Sequence, residues 1–301
     1  MSMILSGKEL SEIVREKTAL RCAAFEKRFG RKPCLAVVLV GDNAASQTYV
    51  KSKRKSCEEL GFAHVDITFE SSISQDELLI CVETLNNDPA VDGILIQMPL
   101  PSHIDELAIT EAVRPDKDVD GFHPQNIGKL LLGQRSLVAC TPRGIMCIID
   151  HYGIETAGKK VCIMGRSNIV GKPMAALMMQ KGRDATVTVC HSRTPDVATY
   201  TREADIVIVA VGHVNALTSD MVKEGAVVID VGINRVPDSS KKSGFALKGD
   251  VDYESVSQKA SAITPVPGGV GPMTIAMLME NTILAACWRE GIEPEDLDGG
   301  I

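Results

Sequence analysis

The sequence predicts an α/β protein of two domains, because of its length, its composition and its alternating strands and helices. At 301 residues the chain is longer than a single hydrophobic core usually supports. Hydrophobic residues make up 45% of the chain and aromatic residues only 4%, which is typical of parallel sheets rich in Val and Ile. Strand-like and helix-like runs alternate along the whole chain, which favours mostly parallel sheets covered by helices.

The first half is predicted to contain three strands separated by helices. Its first helix begins at a capping box formed by Ser6 and Glu9, before an apolar periodic run. A second capping box, Ser74 and Glu77, begins a later helix that runs to about residue 86. The strands of this half are predicted at residues 35–40, 65–69 and 93–98, and its middle helix at residues 46–60.

The second half has the strand–helix rhythm of a Rossmann-like dinucleotide-binding domain. Its strands are predicted at residues 161–164, 186–190, 205–211 and 226–231, with a helix at residues 174–180 after a glycine turn. A last long helix, residues 274–289, is predicted to return to the first domain. We therefore expect an N-terminal α/β domain of residues 1–140 plus 273–301 and a nucleotide-binding domain of residues 141–272.

Composition argues against several classes of protein. A net charge of -7 disfavours nucleic acid as the main partner, and no apolar run approaches the 18 residues of a membrane span. The early acidic residues Glu9, Glu12 and Glu16 argue against a signal or transit peptide. Nine scattered cysteines without a CxxC pair or a metal-ligand spacing predict reduced thiols, a cytoplasmic location and no metal site.

Tyr49 and Lys53 lie four residues apart in a predicted helix, so both side chains lie on one face. A hydroxyl beside an amine is a common proton-transfer site. The Tyr-x-x-x-Lys spacing also marks the short-chain dehydrogenases. In those enzymes the nucleotide turn precedes the pair in the same domain, whereas here the pair comes first and lies in the other half, which disfavours that class.

Two further polar residues of the first half are candidates for the same site. Gln97 lies at the carboxyl end of a buried strand, where open α/β sheets bind ligands, although a glutamine there can equally cap the strand. Residues 116–121 are similar to the start of a calcium loop, but Ile127 occupies the twelfth position and excludes an EF-hand. The segment is either a turn rich in Asx hydrogen bonds or a turn that directs Asp120 into a cleft.

The segment 165–171 follows a predicted strand and begins a helix, the place where a Rossmann fold binds a nucleotide. Ser167 stands where the second glycine of the usual fingerprint would be, and an ordinary strand-to-helix turn is the alternative. The next strand lacks the acid that holds an NAD ribose. Ser192 and Arg193 follow it instead and, with Arg166, suit a 2′-phosphate. The cofactor is therefore predicted to be NADP, unless Arg193 is an ordinary surface residue.

A glycine-rich loop precedes the last helix. Pro267, Gly268 and Gly269 begin it, and such residues allow a ligand to approach the backbone closely. An interdomain hinge is the alternative, and the two roles are compatible.

Taken together, these motifs resemble the bifunctional methylenetetrahydrofolate dehydrogenase/methenyltetrahydrofolate cyclohydrolase family. The similar segments occur in the family's order and span nearly the whole chain: ASQTYVKSK (45–53), DGILIQMPLP (92–101), PDKDVDGF (115–122), CTP (140–142), GRSNIVG (165–171) and PGGVGPMT (267–274). Arg143 and the Lys/Ser-rich segment 241–244 are local departures from the family pattern.

The resemblance implies a homodimer that oxidises 5,10-methylenetetrahydrofolate with NADP and then hydrolyses the methenyl product to 10-formyltetrahydrofolate. Lys53 would be the hydrolytic base, with Tyr49 and Gln97 orienting it and Asp120 binding the pterin. The folate can carry a polyglutamate tail, which Lys51, Arg54 or Lys55 could meet, although a solvated helix face also explains these charges. The predicted cofactor residues are Gly165, Arg166, Ser167, Ser192, Arg193 and Ile233. A regulatory NADP-binding protein without activity is the competing class, which the presence of all four catalytic residues disfavours.

Overall fold

The structure, a computed structural model, describes residues 2–241 and 244–300. The strands are β1 (Met3–Ile4), β2 (Cys34–Val40), β3 (Ala63–Phe69), β4 (Gly93–Ile96), β5 (Lys160–Met164), β6 (Thr186–Cys190), β7 (Ile206–Val209), β8 (Val227–Asp230), β9 (Asn234–Pro237), β10 (Phe245–Lys248) and β11 (Ala262–Ile263). The helices are α1 (Gly7–Phe29), α2 (Ala44–Leu60), α3 (Gln75–Asn87), α4 (Glu106–Ala112), α5 (Pro124–Leu131), α6 (Cys140–His151), α7 (Gly171–Met178), α8 (Val197–Glu203), α9 (Tyr253–Val256) and α10 (Val270–Arg289). Two residues of the Lys/Ser-rich segment, 242 and 243, lie outside the described residues.

The chain forms two compact units, named here by their sheets. The six-strand unit comprises Met1–Ser11, Leu130–Gln134 and Thr141–Thr274, and the three-strand unit comprises Glu12–Lys129, Arg135–Cys140 and Ile275–Ile301. The first eleven residues thus group with the six-strand unit, whereas the sequence had suggested the N-terminal domain. The reason is that β1 pairs in parallel with β11, so the start of the chain completes the sheet of the second half.

The three-strand unit contains a parallel sheet in the order β3-β2-β4. Every residue of β2 is buried, as expected of a central strand covered on both faces. Helix α3 begins at Ser74, whose hydroxyl accepts from the N–H of Glu77 while the Glu77 carboxylate accepts from the N–H of Ser74. This confirms the second capping box. Strand β4 ends at Ile96, two residues earlier than predicted, so Gln97 emerges directly from the end of the strand.

The six-strand unit contains a parallel sheet in the order β1-β11-β8-β7-β5-β6. This is the Rossmann-like half that the alternating pattern predicts, with α7 following β5 and α8 following β6. Strands β9 and β10 form an antiparallel hairpin outside the main sheet. The hairpin was not predicted, because its strands have only four residues each and contain no buried residue.

Helix α10 returns to the three-strand unit, as predicted. From Ile275 onwards it belongs to that unit, and Arg289 near its end forms an ion pair with the fully buried Asp92. By length and composition α10 is apolar enough to cross a membrane, but 67% of its most apolar window is buried inside the protein. A mostly buried core helix passes the same test, so this helix is weak evidence for a membrane span.

Candidate active site

Lys53 and Gln97 meet at the carboxyl end of β4. Lys53 Nζ donates to Gln97 Oε1 at 3.0 Å. Gln97 Nε2 donates in turn to the carbonyl oxygen of Met98 at 2.8 Å, and the Gln97 backbone N–H donates to the Val38 carbonyl at 2.8 Å. The oxygen and the nitrogen of the Gln97 side-chain amide therefore both form hydrogen bonds, which directs the oxygen toward the lysine.

Asp120 is the charged partner of Lys53. Burial lowers the pKa of the Lys53 amine, while the negative charge of Asp120 and the Cys140 thiol act in the opposite direction. Burial raises the pKa of Asp120 to about 6; the Lys53 charge opposes that rise and Asp118 adds to it. Burial thus brings both groups closer to their neutral forms, as is common in acid–base sites.

Tyr49 lies one helical turn before Lys53 on α2, as predicted, but its side chain is 48% exposed. Within the part of the chain that the structure describes, it forms no hydrogen bond with Lys53. A hydrogen bond therefore joins Lys53 to Gln97, Asp120 interacts with the lysine through its charge, and the Tyr49 ring lies at the surface. We retain a contact with substrate as the hypothesis for this residue.

The segment 116–121 does form a turn held by Asx hydrogen bonds. Asp118, which the sequence did not single out, accepts hydrogen bonds from the N–H groups of Gly121, Phe122 and His123. The same turn brings Asp120 close enough to Lys53 for their charges to interact. The interpretation as an Asx turn is therefore correct, and the direction of Asp120 into a cleft stays a prediction.

The loop between β5 and α7 has the tight path expected of a nucleotide turn. Gly165 has a φ of +116°, and a Cβ there would lie 2.2 Å from the carbonyl oxygen of Ala210. A Cβ on Gly171 would lie 2.1 Å from the Gly165 carbonyl oxygen. The Ser167 hydroxyl accepts from the N–H groups of Val170 at 3.1 Å and Gly171 at 3.4 Å. Ser167 therefore organises the turn into the helix where the usual fingerprint has a glycine.

The predicted phosphate-binding residues follow two neighbouring parallel strands, β5 and β6. Arg166, Ser192 and Arg193 are all exposed. Among the described residues neither guanidinium has an ion-pair partner. The Arg193 backbone N–H donates to Nδ1 of His191 at 3.1 Å, which shapes this second loop. Ile233, the other predicted cofactor residue, follows β8 with its side chain 50% exposed.

The glycine-rich loop before α10 has a role within the fold. Gly269 is buried, and its carbonyl oxygen lies where a Cβ on Gly7 would be, at 1.9 Å. The Gly268 carbonyl accepts from the N–H of Lys8 at 2.9 Å, and Gly268 has a φ of +102°. This close approach requires glycine at position 7. Glycine is required at 269 because a Cβ there would lie 2.4 Å from the Pro265 carbonyl oxygen, whereas Pro267 is exposed.

Two aspartates of the six-strand unit were missed by sequence reasoning. Asp230, at the end of β8, accepts from the backbone N–H groups of Gly232, Asp250 and Val251. Burial raises the pKa of Asp230 to about 6. Asp250 Oδ2 accepts from the N–H groups of Val211 and Gly212, both at 2.8 Å. An acid directly at the end of an apolar strand was the available signal, and both carboxyls organise the loops at this sheet edge.

The fold and these side chains define the class of protein: an α/β enzyme with a dinucleotide-binding unit and a second unit that carries a half-buried lysine hydrogen-bonded to a glutamine. The comparisons with known proteins specify the family. The family model for the catalytic domain of tetrahydrofolate dehydrogenase/cyclohydrolase matches residues 5–120, and the model for its NAD(P)-binding domain matches residues 139–290. The chain belongs to the tetrahydrofolate dehydrogenase/cyclohydrolase family, which confirms the resemblance noted in the sequence.

Close relatives match over almost the whole chain. A protein of Chloroherpeton thalassium, named bifunctional protein FolD, is 55% identical over 285 residues, covering 93% of this chain and 97% of the relative. The crystal structure of the bifunctional FolD enzyme of Campylobacter jejuni matches with a TM-score of 0.91 at 51% identity, covering 96% of this chain and all of the other. The FolD enzyme of Trypanosoma brucei, solved with NADP cofactor and inhibitor, has a TM-score of 0.91 at 38% identity, covering 96% and 98%.

Proposed function

We propose that the protein oxidises 5,10-methylenetetrahydrofolate to the methenyl form with NADP and hydrolyses that product to 10-formyltetrahydrofolate. Family membership supports both activities. The observation that carries the proposal is the hydrogen bond from Lys53 to Gln97, with Asp120 as the charged neighbour of the lysine. This arrangement supplies a base for hydrolysis in the unit that the catalytic-domain model covers.

The hydrolytic step needs a group that takes a proton from water as it adds to the methenyl carbon. A lysine can do so only as the neutral amine, and burial of Lys53 favours that form. Gln97 holds the amine in place through its fixed amide oxygen. We assign Asp120 to the pterin edge, because a carboxylate accepts hydrogen bonds from ring N–H and amino groups. Tyr49 is assigned to the folate from its exposed position one turn away.

NADP is the proposed cofactor. The glycine turn, Ser167 and the exposed Arg166 and Arg193 fit a dinucleotide with a 2′-phosphate, because a guanidinium binds phosphate through paired donors. When bound, the nicotinamide accepts the hydride from the methylene carbon. Binding and orientation would be the tasks of Gly165, Arg166, Ser167, Ser192, Arg193 and Ile233. A relative solved with NADP supports this choice.

The glycine-rich loop and, separately, the basic side chains of α2 are further candidates for folate binding. We assign the exposed Pro267 and the neighbouring Gly268 and Gly269 to the folate. For a polyglutamate tail, Lys51 is the best candidate: it is exposed, whereas the other two bases already form ion pairs, Arg54 with Asp66 and Lys55 with Glu59. Equal KM values for mono- and polyglutamate substrates would remove this assignment.

The test is a spectrophotometric assay of methenyl-folate formation from methylene-folate, run with NADP and with NAD and followed through decay of the product. Formation with NADP and catalysed decay are the expected results. A protein that forms no methenyl product with either nucleotide would overturn the proposal and favour a binding protein. A clear preference for NAD would overturn the cofactor assignment alone.

We also propose that the protein acts as a homodimer in the cytoplasm, without nucleic acid or membrane partners. The net charge of -7 argues against nucleic acid, the family resemblance supports the dimer, and the scattered cysteines support the location. Sedimentation of the purified protein should give twice the mass of one chain, and a single-chain particle at micromolar concentration would contradict the dimer. Fractionation of cells with an antibody to the protein checks the location.

A further inference from the structure

The Asp118 carboxyl is buried and holds the backbone that follows Asp120. Its Oδ1 accepts from the N–H groups of Gly121 at 3.2 Å and Phe122 at 3.3 Å. Its Oδ2 accepts from the N–H of His123 at 2.8 Å and from a side-chain amide at 2.9 Å. Within the described residues these four partners are all donors, so the ionised form fits the turn even though burial raises the pKa of Asp118.

The turn that contains Asp118 and Asp120 pairs with strand β4 through its backbone. The N–H of Ile94 donates to the Lys117 carbonyl at 2.7 Å, and Ile94 and Asp118 form a parallel bridge. Strand β4 and the segment containing Asp118 run in the same direction from this bridge. Gln97 and Asp120, a few residues beyond it, therefore lie at the same edge of the sheet. This pairing explains why Asp120 comes close to the Lys53 site at all.

The backbone before Asp120 is held from the opposite side by α10. Asn281, which is fully buried, donates its Nδ2 to the carbonyls of Val119 and Val138, both at 2.8 Å. The turn also packs directly on the segment containing Val138, because a Cβ on Gly121 would lie 2.4 Å from the backbone nitrogen of Ala139. One buried amide thus connects the turn to its neighbouring segment.

We propose that Asp118 and Asn281 are positioning residues for the folate reactions: they hold the Asp120 turn from both sides and so fix where the Asp120 carboxylate meets the folate. This inference rests on the proposed function. Neither side chain needs to touch the substrate, since both act through the backbone on either side of Asp120. Loosening the turn weakens folate binding, and the nucleotide site in the other unit keeps its own contacts.

The test is a double-mutant cycle on the KM for the folate. Asp118→Asn keeps the size of the side chain but replaces one acceptor oxygen by a donor, and should raise the folate KM by about tenfold in both activities. In an Asp120→Ala background the same change should have no further effect. An unchanged KM, or an equal rise in the Asp120→Ala background, would overturn the inference, because a general structural defect acts in both backgrounds.

A matched control is Asp92→Asn, which also removes a fully buried carboxylate of the three-strand unit, one that binds Arg31 and Arg289. It should lower the melting temperature and leave the folate KM unchanged. An equal rise in KM for Asp92→Asn would assign the effect to general destabilisation. If Asp118→Asn does not fold, Asn126→Ala removes the amide that donates to Asp118 Oδ2 and to the Pro115 carbonyl, and a smaller rise in KM is expected. No rise would overturn the inference.

A second measurement needs no turnover and separates this inference from the proposed function. The pKa of Lys53 can be followed by NMR of protein labelled at lysine Cε. Asp120→Asn should lower this pKa, because the negative charge of Asp120 raises it, and Asp118→Asn should shift it in the same direction. No shift in Asp118→Asn would overturn the inference. A wild-type protein inactive on folates would overturn the proposed function, while the Lys53 titration would still decide whether Asp118 positions Asp120.

Discussion

Lys53 Nζ lies 3.0 Å from Gln97 Oε1, and Gln97 cannot turn its nitrogen toward the lysine without losing its bond to the Met98 carbonyl. The lysine therefore faces a neutral acceptor that tolerates both its protonated and its neutral form. Burial has the largest influence on the pKa of the amine and lowers it, while the Asp120 charge acts in the opposite direction. This suits a base that must release its proton after each turnover.

Gln97→Glu should move the pH dependence of hydrolysis upward. A carboxylate in place of the amide favours the charged lysine and raises the pKa of Lys53, so the amine becomes neutral only at higher pH. The acidic limb of kcat for hydrolysis should shift upward by about one pH unit. Stopped-flow decay of methenyl-folate across pH measures this limb, and an unmoved limb would show that Lys53 is not the titrating base.

Lys53→Met should abolish hydrolysis and leave hydride transfer measurable. Methionine retains the length of the side chain and removes the amine, whereas oxidation depends mainly on the placement of the two substrates. The control is Lys51→Met on the same helix, where the side chain is exposed; its hydrolysis rate should stay near wild type. Cyclohydrolase activity close to wild type in Lys53→Met would remove Lys53 from the mechanism.

Folate binding should weaken as the pH falls below about 6, the value to which burial raises the pKa of Asp120. The charge on Lys53 and the charge on Asp118 act on this carboxyl in opposite directions, and the ionised form is present above that pH. The folate KM of the dehydrogenase reaction should therefore rise on acidification. In Asp120→Asn the KM should be high at every pH, and a variant with the wild-type profile would contradict the assignment.

Arg166→Ala and Arg193→Ala should each raise the KM for NADP by about tenfold or more and leave the KM for NAD almost unchanged. Each guanidinium lies exposed after a neighbouring strand, so each contributes to a 2′-phosphate that NAD lacks. Arg202→Ala is the control, because that arginine pairs with Asp220 at the surface of the same unit. Equal losses with both nucleotides would indicate damage to the turn.

Asp298→Asn should destabilise the protein by about 1 kcal/mol at neutral pH, after allowance for partial exposure of the carboxylate. Arg21 binds Asp298 through two hydrogen bonds and lowers its pKa to about 2. Because the folded-state pKa is depressed, the stabilisation is complete above the unfolded value near 3.8 and is lost as the pH falls toward 2. Urea unfolding of both proteins at neutral and acidic pH should show the difference shrinking only below about pH 4.

Local chemistry explains which elements the sequence could predict. The box at Ser74 and Glu77 forms as expected, because both partners lie within one turn. The box at Ser6 forms only in part: the Glu9 N–H donates to the Ser6 hydroxyl at 3.4 Å, while the Ser6 N–H donates to the hydroxyl of Tyr152. Tyr152, which is distant in the sequence, thus replaces Glu9 as the acceptor for the Ser6 N–H. A local sequence pattern cannot predict such a long-range hydrogen bond.

The same difference between local patterns and long-range contacts applies to the candidate site. Lys53, Gln97 and Asp120 were accessible from sequence, because each belongs to a motif with a recognisable spacing. Asp118 and Asn281 were not, because their roles depend on contacts with distant backbone. The glycine at 269 was explained through a ligand, whereas the structure adds a backbone reason, since a Cβ there would lie 2.4 Å from the Pro265 carbonyl oxygen.

The pairing of β1 with β11 has a consequence for synthesis of the protein. Strand β1 is synthesised at the start of translation, but its partner strand β11 is synthesised only near the end. Until then β1, the edge strand of the nucleotide-binding sheet, has no strand to pair with. An incomplete chain therefore exposes unpaired backbone groups, which promote aggregation. Ribosome stalling before residue 262 should therefore give insoluble nascent chains, whereas release after the last helix should give native protein.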